Sequence, residues 1–215
     1  MAKTFSSRRH EVVNLSPCIQ DFMERWPALF GEARIAEEFQ RITAVPLLQT
    51  FMRKLDSYTP RLLNIMRAKG GVPGTKIRPI LDTLNQRDSI ERRRDAVIRS
   101  LIEYLGESGV ELFLDCQEAD RHENTHHILK VLVVHAATDE DPVDVSIIIE
   151  GNEVLTKCDN TAKACTLLMG LLYALNLEYP AKLKYTFEVF QKLFLELDGI
   201  KLSSKVQSLR TKLLA

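Results

Sequence analysis

The chain has 215 residues and a mass of 24.5 kDa, and 45% of it is apolar, enough to bury the core of one domain or slightly more. Its 29 basic and 29 acidic residues cancel, so no whole-molecule field draws it to nucleic acid or to a membrane. Nine Gly and eight Pro exclude a collagen-like or low-complexity chain, and 27% charged residues with ample Leu exclude a disordered composition.

The first ten residues carry charge with no apolar run behind them, so no secretory signal is expected, and Ala2 stands where acylation needs Gly. The most apolar stretch, 162–177, holds Lys163, Gly170 and Asn176 and falls short of the roughly 20 apolar residues of a membrane span. Cys18, Cys116, Cys158 and Cys165 form no CxxC pair. Reduced thiols, a cytoplasmic or nuclear location and no membrane association are expected.

Residues 1–110 carry 18 Lys and Arg against 13 Asp and Glu, and residues 111–215 carry 11 against 16, so the two halves differ in sign. An N-terminal segment over 1–24 precedes a helical region over 25–110. Ile35, Phe39 and Ile42 step as a helix does, and so do Leu48, Phe51, Met52 and Leu55. Pro60 is expected to end that helix, and Leu62, Leu63 and Met66 to start a short one that stops at Gly70-Gly71-Val72-Pro73-Gly74. Asp88 to Leu105 is the best helix of this half, with Asp88-Ser89-Ile90-Glu91 as its capping box and Val97, Ile98, Leu101, Ile102 and Leu105 as its apolar stripe.

Near residue 128 the period changes. The run from His127 to His135 is β-branched and continuous, as a strand buried on both faces would be. A second strand over 145–150 and a return strand over 153–156 are expected around a Gly151-Asn152 turn. Residues 162–177 are apolar almost all round and suit a central helix. Pro180 opens the next helix, on which Leu183, Phe187, Phe190, Phe194 and Leu197 form a core ridge; Asp198-Gly199 stops it, and Ser203 caps a last helix. The expected fold is α+β: a helical N-terminal half, a small three-stranded sheet, and C-terminal helices packed on it, with 111–215 as an α+β region continuous with 25–110.

His122-Glu123-Asn124-Thr125-His126 matches H-E-x-x-H. On a helix that spacing lets two imidazoles share a zinc ion at about 2 Å while the Glu activates its water, with Glu150, Glu153 or Asp159 as third ligand. The motif runs straight into the strand at Ile128, however, and its residues are poor helix formers. On an extended backbone His122 and His126 would stand about 13 Å apart at about 3.3 Å per residue, too far for one ion. A surface loop or strand entry is therefore the expectation. The zinc hydrolase, with Glu123 as base and His122 and His126 as ligands, is the alternative. Cys116 adds no paired half-site.

Gly70 to Ile77 fails as a phosphate loop, because Thr75 and Ile77 stand where Gly and Ser or Thr are required, and an interhelical loop is expected instead. The span 61–99 holds ten basic and four acidic residues, which makes nucleic-acid binding through Arg92, Arg93, Arg94 and Arg99 a second alternative. No aromatic residue lies in that span to stack a base, and Asp88–Arg92, Asp95–Arg99 and Arg99–Glu103 fall at i,i+4, as on a solvated ion-paired face. Cys116, Cys158 and Cys165 lack a catalytic context, and Ser146 lies in a strand rather than on a nucleophile elbow.

Several blocks carry a resemblance when taken in order: Arg25-Trp26-Pro27-Ala28-Leu29-Phe30; Ile35 with Glu38-Phe39-Gln40-Arg41-Ile42; Thr59-Pro60-Arg61-Leu62-Leu63; Ile147-Ile148-Ile149-Glu150-Gly151; Ala162-Lys163-Ala164-Cys165; and Gly170 through Pro180. Over about 11–213 the chain resembles the C-terminal region of the sterile alpha motif domain-containing protein three-like proteins of vertebrates, abundant in fish. The resemblance implies an intracellular vertebrate protein and a short family member without the sterile alpha motif. It supplies no catalytic residue, and H-E-x-x-H is not a feature of that family. The reading that results is a non-enzymatic interaction or scaffold domain with a protein partner, no cofactor and no resident metal.

Overall fold

The computed structural model describes residues 2–85, 88–123, 128–137 and 141–215. The fold is α+β. The helices α1 (Phe5–Asn14), α2 (Ile19–Arg25), α3 (Glu32–Thr43), α4 (Leu47–Arg67), α5 (Gly71–Asp82) and α6 (Ile90–Tyr104) precede strands β1 (Phe113–Gln117), β2 (Leu129–His135), β3 (Pro142–Ile149) and β4 (Asn152–Leu155). Helices α7 (Thr161–Ala174), α8 (Lys184–Val189) and α9 (Ser204–Leu214) follow.

Local chemistry moves several expected boundaries. Helix α4 runs through Pro60 instead of ending there, and the Thr59 hydroxyl donates to the Leu55 carbonyl at 2.8 Å beside the interruption. Burial of Phe51, Leu55, Leu62 and Met66 along one face outweighs the ladder bond that proline removes. Gly71 to Gly74 form the first turn of α5 rather than a loop. A Cβ on Gly74 would stand 2.1 Å from the Lys69 carbonyl oxygen, so only glycine fits. The cap of α6 is Ser89, whose side chain accepts the Arg92 N–H; the Asp88 carboxylate pairs with Arg93 instead. Ser203 caps α9 as expected, but the helix expected to stop at Asp198-Gly199 ends earlier. Glu196 takes the left-handed conformation first (φ 56°), with Asp198 of the expected pair also left-handed (φ 49°), and the Leu197 N–H closes back on the Gln191 carbonyl at 2.9 Å.

The sheet has four strands among the described residues, in the order β1-β2-β3-β4, not three. The added strand, β1, lies parallel to β2, with Phe113 opposite Val131 and Gln117 opposite His135; β2, β3 and β4 pair antiparallel. The β3–β4 turn is Glu150-Gly151, one residue before the expected pair. Both have positive φ (50° and 76°), which matches the two-residue turn favoured by the strand twist.

The chain divides into two compact units, Met1–Leu48 with Phe113–Glu178, and Gln49–Leu112 with Tyr179–Ala215. In the first, α7 packs against β2 and β3 and is buried almost all round, with α3 laid against it. Gly170 makes that approach possible: a Cβ there would lie 2.5 Å from Ile35 and 2.6 Å from Leu47 side-chain carbons. Phe39 meets Tyr173 edge to face at 5.1 Å. Asn160 caps α7 by accepting the Lys163 N–H at 2.9 Å.

In the second unit the expected phenylalanine ridge is core. Phe51 packs edge-on against Phe190 at 5.3 Å and Phe194 at 5.2 Å, and all three are fully buried. Residues Phe190–Phe194 form a π turn, closed by the Leu195 N–H on the Phe190 carbonyl. On that turn the rings of Phe190 and Phe194 stack at 24°, their centres 5.9 Å apart.

Candidate functional site

A polar cluster lies on one face of the sheet. Residues opposite one another in a ladder share a face. The register pairs Leu114 with Leu132, Leu132 with Ser146, and Ile148 with Glu153, so these side chains line one surface, where Leu132, Val134 and Ile148 form an apolar cluster with Leu114 and Cys116. The connection from β1 to β2 packs back on these strands as a 3-10 turn, Glu118–Glu123. It delivers Arg121 across the sheet. The Arg121 Nε donates to Glu153 Oε1 at 3.1 Å, and its Nη2 reaches Glu153 Oε2 at 2.6 Å, Asp144 Oδ2 at 2.7 Å and Ser146 Oγ at 3.1 Å.

Each partner is itself held. Ser146 is fully buried and donates to Asp144 Oδ2 at 3.1 Å, and Asp144 Oδ1 accepts the Lys157 N–H at 2.9 Å. The hydrogen bond to Glu153, then that carboxylate's charge and the pairing with Asp144, hold the Arg121 guanidinium above its ordinary pKa against the opposing effect of burial. Ser146 therefore donates its hydrogen bond to a carboxylate already paired with a guanidinium. The cluster ties the crossover to the two strands at the far side of the sheet.

The residues of the zinc alternative are distributed differently. His122 and Glu123 belong to the end of the 3-10 turn, while Asn124 to His127, and with them His126 and the spacing of the two imidazoles, lie outside the described residues. The three third-ligand candidates have separate partners: Glu150 Oε2 accepts the Ile19 N–H at 2.9 Å, Glu153 holds Arg121, and Asp159 pairs with Lys163 at 2.6 Å.

The arginines of the nucleic-acid alternative lie along α6. Arg93 pairs with Asp88, Arg94 makes a two-pronged pair with Asp56 (2.8 and 2.7 Å), and Arg99 pairs with Asp95 at 3.0 Å. Arg92 lies in the first turn, its N–H on the Ser89 cap. The Asp95–Arg99 pair forms as spaced in the sequence, whereas Asp88 takes Arg93 instead of Arg92, and Glu103 faces Lys76 at 3.1 Å and the Gly109 N–H at 2.9 Å.

All four cysteines are thiols rather than disulfides. Burial, then the charge of Asp144, pushes the Cys158 thiol up to about 12, so it is protonated at neutral pH. Cys165 is fully buried on α7.

Two polar anchors of the first unit escaped the sequence reading. Arg8 is buried and forks onto Glu38 (Nη2 to Oε1 and Oε2, 2.7 Å each), and Arg41 reaches the same carboxylate at 2.9 Å. Glu11 accepts from Arg25 at 2.7 Å and from the Trp26 indole at 2.9 Å. The available signal was spacing: Arg8, Glu11 and Val12 fall on one helical face, a charged stripe where an exposed helix would bury apolar residues. Arg121 had a weaker signal, as one of few cations in an acidic half.

Comparison with known proteins gives one family match. A family model for the helical domain of sterile alpha motif domain-containing protein 3 matches residues 1–31, the stretch that Arg8 and Glu11 fasten, and links the chain to proteins related to it. The match covers a smaller part of the chain than the resemblance read from the sequence. No curated protein and no solved structure matches.

Proposed function

We propose that the chain is a non-enzymatic interaction or scaffold domain that works inside the cell through its folded surfaces and engages a protein partner. The observation that carries this reading is the closure of its polar clusters: Arg121 with Asp144, Ser146 and Glu153, and Arg8 with Glu38 and Arg41, satisfy one another instead of converging on a shared point where a substrate would sit. The match of residues 1–31 to a helical domain supports it, as does the thiol state of the cysteines, which suits a reducing compartment. We extend the family link to the rest of the chain, as a vertebrate relative of that family.

No helix among the described residues is long and apolar enough to cross a membrane. The test is reconstitution. A protein that copurifies with the chain from cells expressing it is purified separately and sedimented with it. A stoichiometric complex supports the reading. Candidates that all sediment apart from the chain count against it.

A further inference from the structure

Three aspartates of the chain are followed by serine or glycine, residues small enough for the next backbone nitrogen to reach the side-chain carboxyl: Asp56-Ser57, Asp88-Ser89 and Asp198-Gly199. All three lie in the second unit, and the fold treats them differently. Asp56 is forked by Arg94 at 2.8 and 2.7 Å, and the Ser57 nitrogen sits inside α4. Asp88 takes two bonds from Arg93, one of 2.6 Å, which hold its carboxyl below the ordinary range. Asp198 is exposed on the loop between the π turn and α9. Among the described residues its carboxylate meets only the neutral Gln191 amide, at 3.2 Å. The Gly199 N–H has no acceptor among the described residues. Nor does the fold demand glycine there: Gly199 is not left-handed, and a Cβ on it would stand 3.8 Å from the Lys192 carbonyl oxygen, an ordinary contact.

We propose that Asp198-Gly199 is a site of covalent modification, where the backbone isomerises through a succinimide with water as the only co-reactant. The Gly199 nitrogen attacks Asp198 Cγ. The N–Cγ bond forms, the Cγ–OH bond breaks, and the nitrogen's proton leaves with that hydroxyl as water. Water then adds to either ring carbonyl and breaks one of the two C–N bonds. One outcome restores aspartate; the other runs the chain through Cβ and Cγ and leaves the α-carboxylate as a side group. The leaving oxygen must be protonated, and an arginine partner opposes that at Asp56 and Asp88, whereas Gln191 carries no charge. Ring closure swings Cβ towards the next nitrogen. The helical ladder resists that at Ser57, and a residue without a side chain obstructs it least at Gly199. The product has one more carbon in its main chain, in a loop otherwise fixed by Lys192 on the Lys201 carbonyl at 2.5 Å. Its carboxylate is of the kind that isoaspartyl methyltransferases esterify with S-adenosylmethionine. This reaction is independent of the interaction reading.

The experiment incubates the full chain, and separately a synthetic peptide of residues 193–201, in heavy-oxygen water at physiological temperature and pH. Each passage through the ring inserts one heavy oxygen at the aspartate. Digestion in ordinary water and mass spectrometry then locate the label, and fragment ions of the β-linked backbone identify the isomer. Label and isomer are expected to accumulate at Asp198 of the folded chain at a rate within several-fold of the peptide's, and ahead of Asp56 and Asp88. G199A, which the backbone accommodates, should slow the reaction several-fold because its Cβ crowds the closing ring. The aged chain should accept methyl groups from S-adenosylmethionine in the presence of an isoaspartyl methyltransferase, and aged D198E should not. Circular dichroism confirms that both variants fold. An unlabelled Asp198 in the folded chain once the peptide is half converted, equal labelling of all three aspartates, an unchanged rate in G199A, or equal methyl acceptance by D198E would each overturn the proposal.

Discussion

At the scale of single residues, hydrogen-bond partners decide which polar groups hold the molecule together. The Ser100 hydroxyl is fully buried on α6 and has no hydrogen-bond partner among the described residues. Removing an unpaired buried hydroxyl recovers its desolvation penalty, so Ser100→Ala is expected to leave stability unchanged or raise it by up to about 1 kcal/mol in urea unfolding. A clear loss would mean that the hydroxyl is satisfied in solution. Arg121 behaves in the opposite sense. Arg121→Met leaves Asp144 and Glu153 facing each other with no cation between them, an expected cost of about 1–3 kcal/mol. Hydrogen exchange should then speed up in β2 and at the 3-10 turn, while α9 stays protected. Unchanged exchange in β2 would show that the crossover is held by its apolar contacts alone.

Elements show how much of the fold is written in local sequence. Strand β2 and helix α7 were legible because their apolar runs are long and carry their own period. Strand β1 was not: at the sheet edge only Phe113 is fully buried, Asp115 and Gln117 are exposed, and a five-residue parallel strand has no hairpin turn to announce it. Pro60 misled for a similar reason. Its local cost is real, but the burial that overrides it comes from residues distant in sequence. Gly170, unremarked inside an apolar run, is explained only by the approach of Ile35 and Leu47. Gly170→Ala should therefore destabilise by about 1–3 kcal/mol through overpacking, despite the better helix propensity of alanine, and Ile35→Ala, which removes the γ2 methyl 2.5 Å from the new Cβ, should cost less in that background than alone. If Gly170→Ala is stabilising, helix α3 does not lie that close.

The second unit has an acid-sensitive joint between α8 and α9. Glu188 accepts the Ser203 N–H at 2.8 Å and faces Lys192 at 3.3 Å. Burial pushes its carboxyl up, but the bonds from Ser203 and Lys192 outweigh that and hold it below its ordinary value of 4.5. A depressed carboxyl contributes stability above its unfolded pKa and loses it as pH falls through the folded one. Stability should thus decline between about pH 5 and pH 3, and Glu188→Gln should flatten that decline in unfolding curves taken across the window. An unchanged pH slope in the variant would remove Glu188 from the account.

Over the whole molecule, composition alone was a poor guide to surface electrostatics. Equal numbers of acids and bases pointed to no field, yet the compact units, each assembled from two separated stretches, carry opposite charge. A split at residue 110 shows the asymmetry in weaker form, because it assigns the basic C-terminal stretch to the acidic half. The candidate site was legible to a similar degree. Arg93, Arg94 and Arg99 stood out in the sequence and proved to pair with carboxylates, whereas Arg121 depends on contacts between distant segments that no spacing rule encodes. The central claim, that this chain binds and does not catalyse, is tested most directly by the zinc content of the chain purified without chelator. The account predicts a substoichiometric trace that His122→Gln/His126→Gln leaves unchanged; about one zinc per chain, lost in that variant together with a hydrolytic activity, would contradict it.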